Sequence, residues 1–130
     1  MDKLSIVATK STPEIVFDPI SGLLSISGQS YPENAYKFYE PLLNWLEDYL
    51  IIMQEDTTVL IDLHLPYINT SSTKCFMMLL EKLDNAYLTG KKIQVQWRYN
   101  VDNESELECA EEFKEDLSIP FQIIPKEESQ

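Results

Sequence analysis

The sequence predicts an α/β fold in which a mixed β-sheet opens with an N-terminal antiparallel hairpin, continues in parallel interior strands and is covered by three helices. Three observations carry this. Two short apolar runs flank the turn cluster Asp18-Pro19-Ile20-Ser21-Gly22. The apolar, β-branched run from Thr57 to Leu65 lies between segments whose apolar residues recur three and four apart. The chain's 130 residues, 44% hydrophobic and 25% charged, suit one core and fall short of two.

Taken in order, Leu4, Ile6 and Ala8 alternate with Ser5, Val7 and Thr9 as in a short edge strand, which Pro13 punctuates. Ile15 and Phe17 before the turn cluster, with Leu24 and Ile26 after it and Gly28 closing, make the two arms of the hairpin. Ser30-Tyr31-Pro32-Glu33 has capping-box spacing, so a helix is expected to begin there. Phe38, Tyr39, Leu42, Trp45, Leu46, Tyr49, Leu50 and Met53 then form one helical stripe. Pro41 lacks an N–H and crowds the preceding turn, which predicts a kink or brief break near Tyr39 to Pro41.

Thr57 to Leu65 is apolar on both alternating faces over its first half, the pattern of a central strand covered on both sides. Pro66 to Asn69 is a loop, and the four hydroxyls of Thr70-Ser71-Ser72-Thr73 are expected to cap the next helix. That helix carries Cys75, Phe76, Leu79, Leu80, Leu83, Ala86 and Tyr87 on its stripe and stops at Thr89-Gly90. Ile93, Val95, Trp97 and Tyr99 alternate with Gln94, Gln96 and Arg98 in a strand with one buried face. Leu107, Ala110, Phe113 and Leu117 mark a third amphipathic helix, and Phe121 to Ile124 a last short strand before Pro125. One domain over 1–125 and a frayed acidic tail over 126–130 are expected. Strand–helix–strand units of this length make the interior pairs parallel.

A formal net charge of -12 would be repelled by phosphate backbones and anionic membranes, so neither nucleic acid nor membrane is an expected partner. Much of the excess lies in Glu104, Glu106, Glu108, Glu111, Glu112, Glu115 and Asp116, opposed by Lys114 alone. A solvated helix face and a docking surface for a basic partner both fit this run. Cys75 and Cys109 belong to no CxxC or Cys/His array, so no metal or other cofactor is expected. Met1 to Lys10 lacks a leader pattern and no stretch approaches the roughly 18 apolar residues of a membrane span, which predicts a cytosolic protein with free thiols.

Catalytic apparatus is sparse. With Gly22, Gly28 and Gly90 as the only glycines, neither GxGxxG nor a P-loop can be written. His64, the only histidine, lies within a strand pattern that favours a structural role. Asp62 in an apolar strand would cost several kcal/mol unless paired or placed near a strand end. Glu111 and Glu112 are adjacent on a helix and point apart, so they do not form an acid–base pair. The expectation is a protein that is not an enzyme. A small hydrolase or ligand-binding domain using Asp62, His64 and the Tyr67 loop stays open as an alternative.

The remaining unusual feature is Tyr67-Ile68-Asn69-Thr70-Ser71-Ser72, which runs from the end of the central strand to a helix N-terminus. Parallel sheets carry functional groups in such loops. A phosphate there would gain from helix-terminal N–H donors while adding about -1.5 to -2 charge to a surface that a partner approaches.

Ser30-Tyr31-Pro32-Glu33-Asn34 and Tyr67 to Ser72, supported by Thr12-Pro13, Trp97-Arg98-Tyr99 and Glu111-Glu112-Phe113, make the chain resemble the SiaC family of bacterial regulatory phosphoproteins. The resemblance implies a fold like that of STAS domains and anti-sigma-factor antagonists. It further implies a threonine, Thr70 here, that a dedicated protein kinase phosphorylates and a metal-dependent protein phosphatase restores, the unmodified form binding and stimulating a diguanylate cyclase. Ser71 and Ser72 are the neighbours to be excluded as acceptors. Tyr31, Glu33 and Asn34 are expected to shape the partner-facing surface, with Tyr67 and Asn69 orienting the acceptor loop. Antagonism of an anti-sigma factor is the alternative that the implied fold suggests.

Overall fold

The computed structural model describes residues 1–126. β2 (Glu14–Phe17) and β3 (Leu23–Ser27) are the hairpin arms, and β1 (Leu4–Ile6) pairs antiparallel with β2 at the sheet edge. β4 (Thr58–His64), β5 (Lys92–Asn100) and β6 (Phe121–Lys126) follow β3 in parallel. The three parallel steps are bridged by α1 (Ala35–Ile52), α2 (Thr70–Leu88) and α3 (Glu104–Glu115), and the spatial order of the six strands is their chain order. Gly22 closes the hairpin turn at φ 77°, where a Cβ would lie 2.6 Å from the Thr58 carbonyl oxygen. Only glycine lets the turn lie this close to β4, where its own carbonyl accepts from Leu60 N at 2.9 Å.

Alternation assigns one sheet face to the core. Ile15, Phe17, Leu24, Ile26, Val59, Ile61, Leu63, Ile93, Val95 and Trp97 are buried, whereas Ser25, Leu60, Asp62, His64 and Gln96 on the other face are half-buried. All three helices pack on the buried face. Trp45 of α1 lies 5.3 Å from Phe17, and Phe76 of α2 and Phe113 of α3 lie 6.0 and 5.4 Å from Trp97, ring centre to ring centre. The protein therefore has two layers, and β4 is covered on one side only. The expected double cover came from Leu60, the single apolar side chain among Thr58, Leu60, Asp62 and His64 on the open face.

The expected start of α1 shifts. α1 begins at Ala35, capped by Asn34, whose side chain accepts from Lys37 N at 3.0 Å. Ser30 forms no capping box, because it prolongs the β3–β4 pairing through a parallel bridge to Ile68 and is buried. α1 runs unbroken through Pro41, which is exposed. β6 continues past Ile124 through Pro125, a residue that an edge strand accommodates. Lys126, expected in the tail, pairs with Asn100, and the rest of that tail lies outside the described residues.

Candidate functional site

The site is built where β3 and β4 end and α1 and α2 begin. Gly28 N donates to His64 O at 2.9 Å, Ser30 N to Tyr67 O at 2.8 Å and Asn69 N to Ser30 O at 2.9 Å, so the segments leaving the two strands are laced together. The rings of Tyr31 and Tyr67 meet edge to face at 5.9 Å, with Tyr67 53% exposed. Glu33 and Asn34 are exposed beside them at the start of α1.

Asn69, not the hydroxyl cluster, caps α2. Its side chain accepts from Ser72 N at 2.8 Å and its carbonyl from Thr73 N at 2.9 Å, with the Thr73 hydroxyl adding a bond to the same carbonyl at 3.0 Å. The cap frees the hydroxyls of Thr70 and Ser71, which stand exposed in the first turn. Ser72 is fully buried and Thr73 half-buried, so the four hydroxyls divide into two that face solvent and two that face inward. The helix N-terminus sets its partial positive charge, carried by backbone N–H groups, beside the exposed pair, and Lys74 follows one turn after Thr70.

Beneath the loop lies a buried polar chain that sequence reasoning missed. Ser30 Oγ donates to Ser72 Oγ at 2.9 Å and is 2.7 Å from Tyr39 Oη. Burial pushes the Tyr39 phenol up to about 12, so it stays protonated. No local signal announces this network, since its partners come from three separated segments.

Asp62 and His64 lie elsewhere, on the open sheet face. Asp62 Oδ1 is 3.1 Å from Arg98 Nε, the pairing that offsets its place in the strand. Burial holds the His64 imidazole below its usual basicity, and Lys126 and Arg98 lower it further, against a smaller opposing effect of Asp62. Its Nε2 is 3.6 Å from Oε1 of the buried Glu106. A shallow cavity of about 230 Å³ is lined here by Ser25, Asp62, His64 and Arg98, among others, but not by Tyr67. The three residues of the hydrolase alternative are therefore not gathered in one pocket.

The model of the SiaC family of regulatory phosphoproteins matches residues 6–126. An uncharacterised protein of Pseudomonas aeruginosa (strain UCBPP-PA14) is 41% identical over 128 residues, covering 98% of this chain and all of that one. Among solved structures, SiaC of Pseudomonas aeruginosa superposes with a TM-score of 0.90 at 40% identity, over 97% of this chain and 100% of that chain. A chain in the crystal structure of the diguanylate cyclase SiaD in complex with its activator SiaC, from the same organism, gives 0.89 at 41% identity over 95% and 99%.

Proposed function

The chain belongs to the SiaC family of regulatory phosphoproteins, and from that premise we propose that it is a partner-switching protein which binds and activates a diguanylate cyclase while Thr70 is unmodified. A protein kinase and a metal-dependent protein phosphatase set the state of Thr70, and the chain itself is no catalyst. The relative SiaC is the activator of the cyclase SiaD, and the resemblance to it runs nearly end to end.

The observation that carries the reading is the division of hydroxyls in the first turn of α2. Thr70 is exposed, released from capping by Asn69 and three residues after the exposed Tyr67, whereas Ser72 is sealed in the buried chain. Ser71 shares the exposure and is the competitor to be tested. A dianionic phosphate at Thr70 lies against helix-terminal N–H groups, which the fold tolerates. A partner covering Tyr31, Tyr67, Glu33 and Asn34 would have to strip that dianion of water, at a cost of several kcal/mol without a cation placed to meet it. Among the described residues no helix is long and apolar enough to cross a membrane, in keeping with a cytoplasmic place of action.

Two measurements test this. Kinase-dependent phosphate incorporation should vanish in Thr70→Ala and persist in Ser71→Ala; the reverse pattern moves the acceptor to Ser71. SiaD titrated with the unmodified chain should show increased cyclase activity, and the chain carrying phosphothreonine at position 70 should bind at least about tenfold more weakly, equivalent to 1.4 kcal/mol. Equal affinity of the two forms defeats the switch.

A further inference from the structure

The open face of the sheet lies opposite the helical layer, and register carries it from strand to strand. Ser25 lies beside Asp62 and Asp62 beside Gln96, while Ser27 lies between Glu14 and His64 and Lys126 beside Asn100. Parallel strands occur almost only in sheets covered on both sides, so a bare face over the parallel run β3 to β6 is exceptional. Its charge is exceptional too. The strands carry Lys92, Arg98 and Lys126 on this face against Glu14 and Asp62, an excess of cations on a chain whose net charge is -12. Asp62 is already met by Arg98 Nε at 3.1 Å, and the Arg98 side chain is still 45% exposed. The shallow cavity of about 230 Å³ gathers Arg98 and Lys126 with Ser25, Ser27 and the ring of His64, toward the carboxyl ends of the parallel strands. Glu14, exposed on β2, stands in its wall.

We propose that this face docks an acidic segment of a protein partner, with one carboxylate seated in the cavity between Arg98 and Lys126. The inference goes beyond the partner-switching reading and does not depend on it. A carboxylate in the cavity exchanges water for two cations and the hydroxyl donors of Ser25 and Ser27, and charge-assisted bonds of this kind are the stronger ones. Val16 and Leu60, half-buried on the same face, offer apolar contact beside it. The acidity of the chain does not forbid the approach. Layers of secondary structure pack about 10 Å apart, beyond the ~8 Å screening length at physiological salt, so the carboxylates of α3 are largely screened from this face. Glu14 in the cavity wall opposes the occupant, whereas Asp62 is neutralised by Arg98. Thr70 heads a helix of the other layer, so the face can be filled whatever the state of the acceptor.

The test uses the full chain and a fluorescent peptide of about 12 residues in which glutamate alternates with valine or threonine, against a counterpart with glutamine for glutamate. At about 150 mM salt the glutamate peptide should bind and the glutamine peptide should not. Arg98→Gln/Lys126→Gln should weaken binding about tenfold or more, and Glu14→Gln should tighten it about twofold or more. The three side chains are exposed, so the fold is expected to survive, which near-ultraviolet circular dichroism verifies. Should the loss of Arg98 strand Asp62 and unfold the double variant, Lys126→Glu alone, at the exposed strand end, must show the weakening. Thr70→Asp should bind the peptide as the wild type does. A single-stranded oligonucleotide of the same charge should bind at least about tenfold more weakly, because a flexible polyanion is repelled by the acidic chain beyond the face. Equal binding of both peptides, binding unchanged in the charge variants, loss of binding in Thr70→Asp, or an oligonucleotide held as tightly as the peptide overturns the proposal.

Discussion

The hydroxyl of Ser30 donates to Ser72 Oγ at 2.9 Å, joining residues 42 apart in the chain. Since the single Ser30 proton is committed to Ser72, the 2.7 Å contact with Tyr39 makes the phenol the donor, and the order of donation is Tyr39 to Ser30 to Ser72. The chain ties the loop before α1, the body of α1 and the first turn of α2 into one rigid base under Thr70. Under the proposed switch a partner would therefore meet a preformed surface, and a phosphate added above it would change charge without loosening its support.

Replacing Ser72 by alanine strands the buried Ser30 donor. The expected loss is about 1–3 kcal/mol, the penalty of an unsatisfied buried group. Urea unfolding should show a lower midpoint with an unchanged slope. A midpoint equal to that of the wild type would mean that this bond contributes nothing net to the fold.

At the α2 cap two neighbours should act in opposite directions. Asn69→Ala removes the acceptor of Ser72 N and should destabilise by about 1 kcal/mol. Thr70→Glu places a negative charge against the helix N-terminus and should stabilise by about 0.3–1 kcal/mol relative to Thr70→Gln, the gain fading as salt is raised. Chemical denaturation of the four proteins at low and high salt measures both. If Thr70→Glu proved less stable than Thr70→Gln, the fold would not be tolerant of charge at that position.

Periodicity made the architecture legible, because the hairpin, three helical stripes and two long strands each bury one face with its own repeat. The caps were read at the wrong residues. Ser30 and Thr70 to Thr73 satisfy local capping rules, yet asparagine one place before each helix holds the cap, and the serines are drawn into a network that exists only once β3, α1 and α2 are assembled. Tertiary pairing decided between two locally acceptable caps. The site loop was legible from its hydroxyl run and position after β4, whereas the inward turn of Ser72 depended on Tyr39 and Ser30, far off in sequence.

Phe76 sits where the three helices converge, fully buried and in ring contact with Tyr39 at 6.1 Å, Trp97 at 6.0 Å and Phe113 at 5.8 Å. Phe76→Ala should cost about 3–5 kcal/mol by lost burial and the cavity left behind. Against a typical total of about 5–15 kcal/mol, that is enough to bring a domain of this size near its unfolding threshold at 37 °C. Thermal unfolding followed by near-ultraviolet circular dichroism reads the effect, and a change below about 1 kcal/mol would show that the aromatic cluster repacks around the gap.

His64 and Glu106 face each other at 3.6 Å, and among the described residues neither His64 Nε2 nor Glu106 Oε1 has a hydrogen-bond partner. Glu106 Oε2 accepts from Asn100 N at 3.3 Å, so a proton on the other oxygen, or an NH₂ in its place, would point at the imidazole. Burial raises the Glu106 carboxyl above its ordinary 4.5, against the lowering effects of Asn100, Asn103 and Lys126, and burial first lowers His64 below 6.5. The signs then oppose. Between the raised native value of Glu106 and 4.5 the native state holds more protons than the unfolded chain, so this group's contribution grows as pH falls through that window. Below 6.5 the unfolded chain protonates its histidine while native His64 resists, so that contribution is lost as pH falls toward the lowered native value. Glu106→Gln separates the two: its amide oxygen keeps the Asn100 bond, and its NH₂ can donate to neutral His64 Nε2. The variant should be more stable than the wild type at pH 7.5, and the advantage should shrink as pH approaches 4.5, where the wild-type carboxyl gains its own proton. Urea midpoints of both proteins between those pH values check this, and a Glu106→Gln that is less stable at pH 7.5 would show that the charged carboxylate, paired with a protonated His64, is the native state.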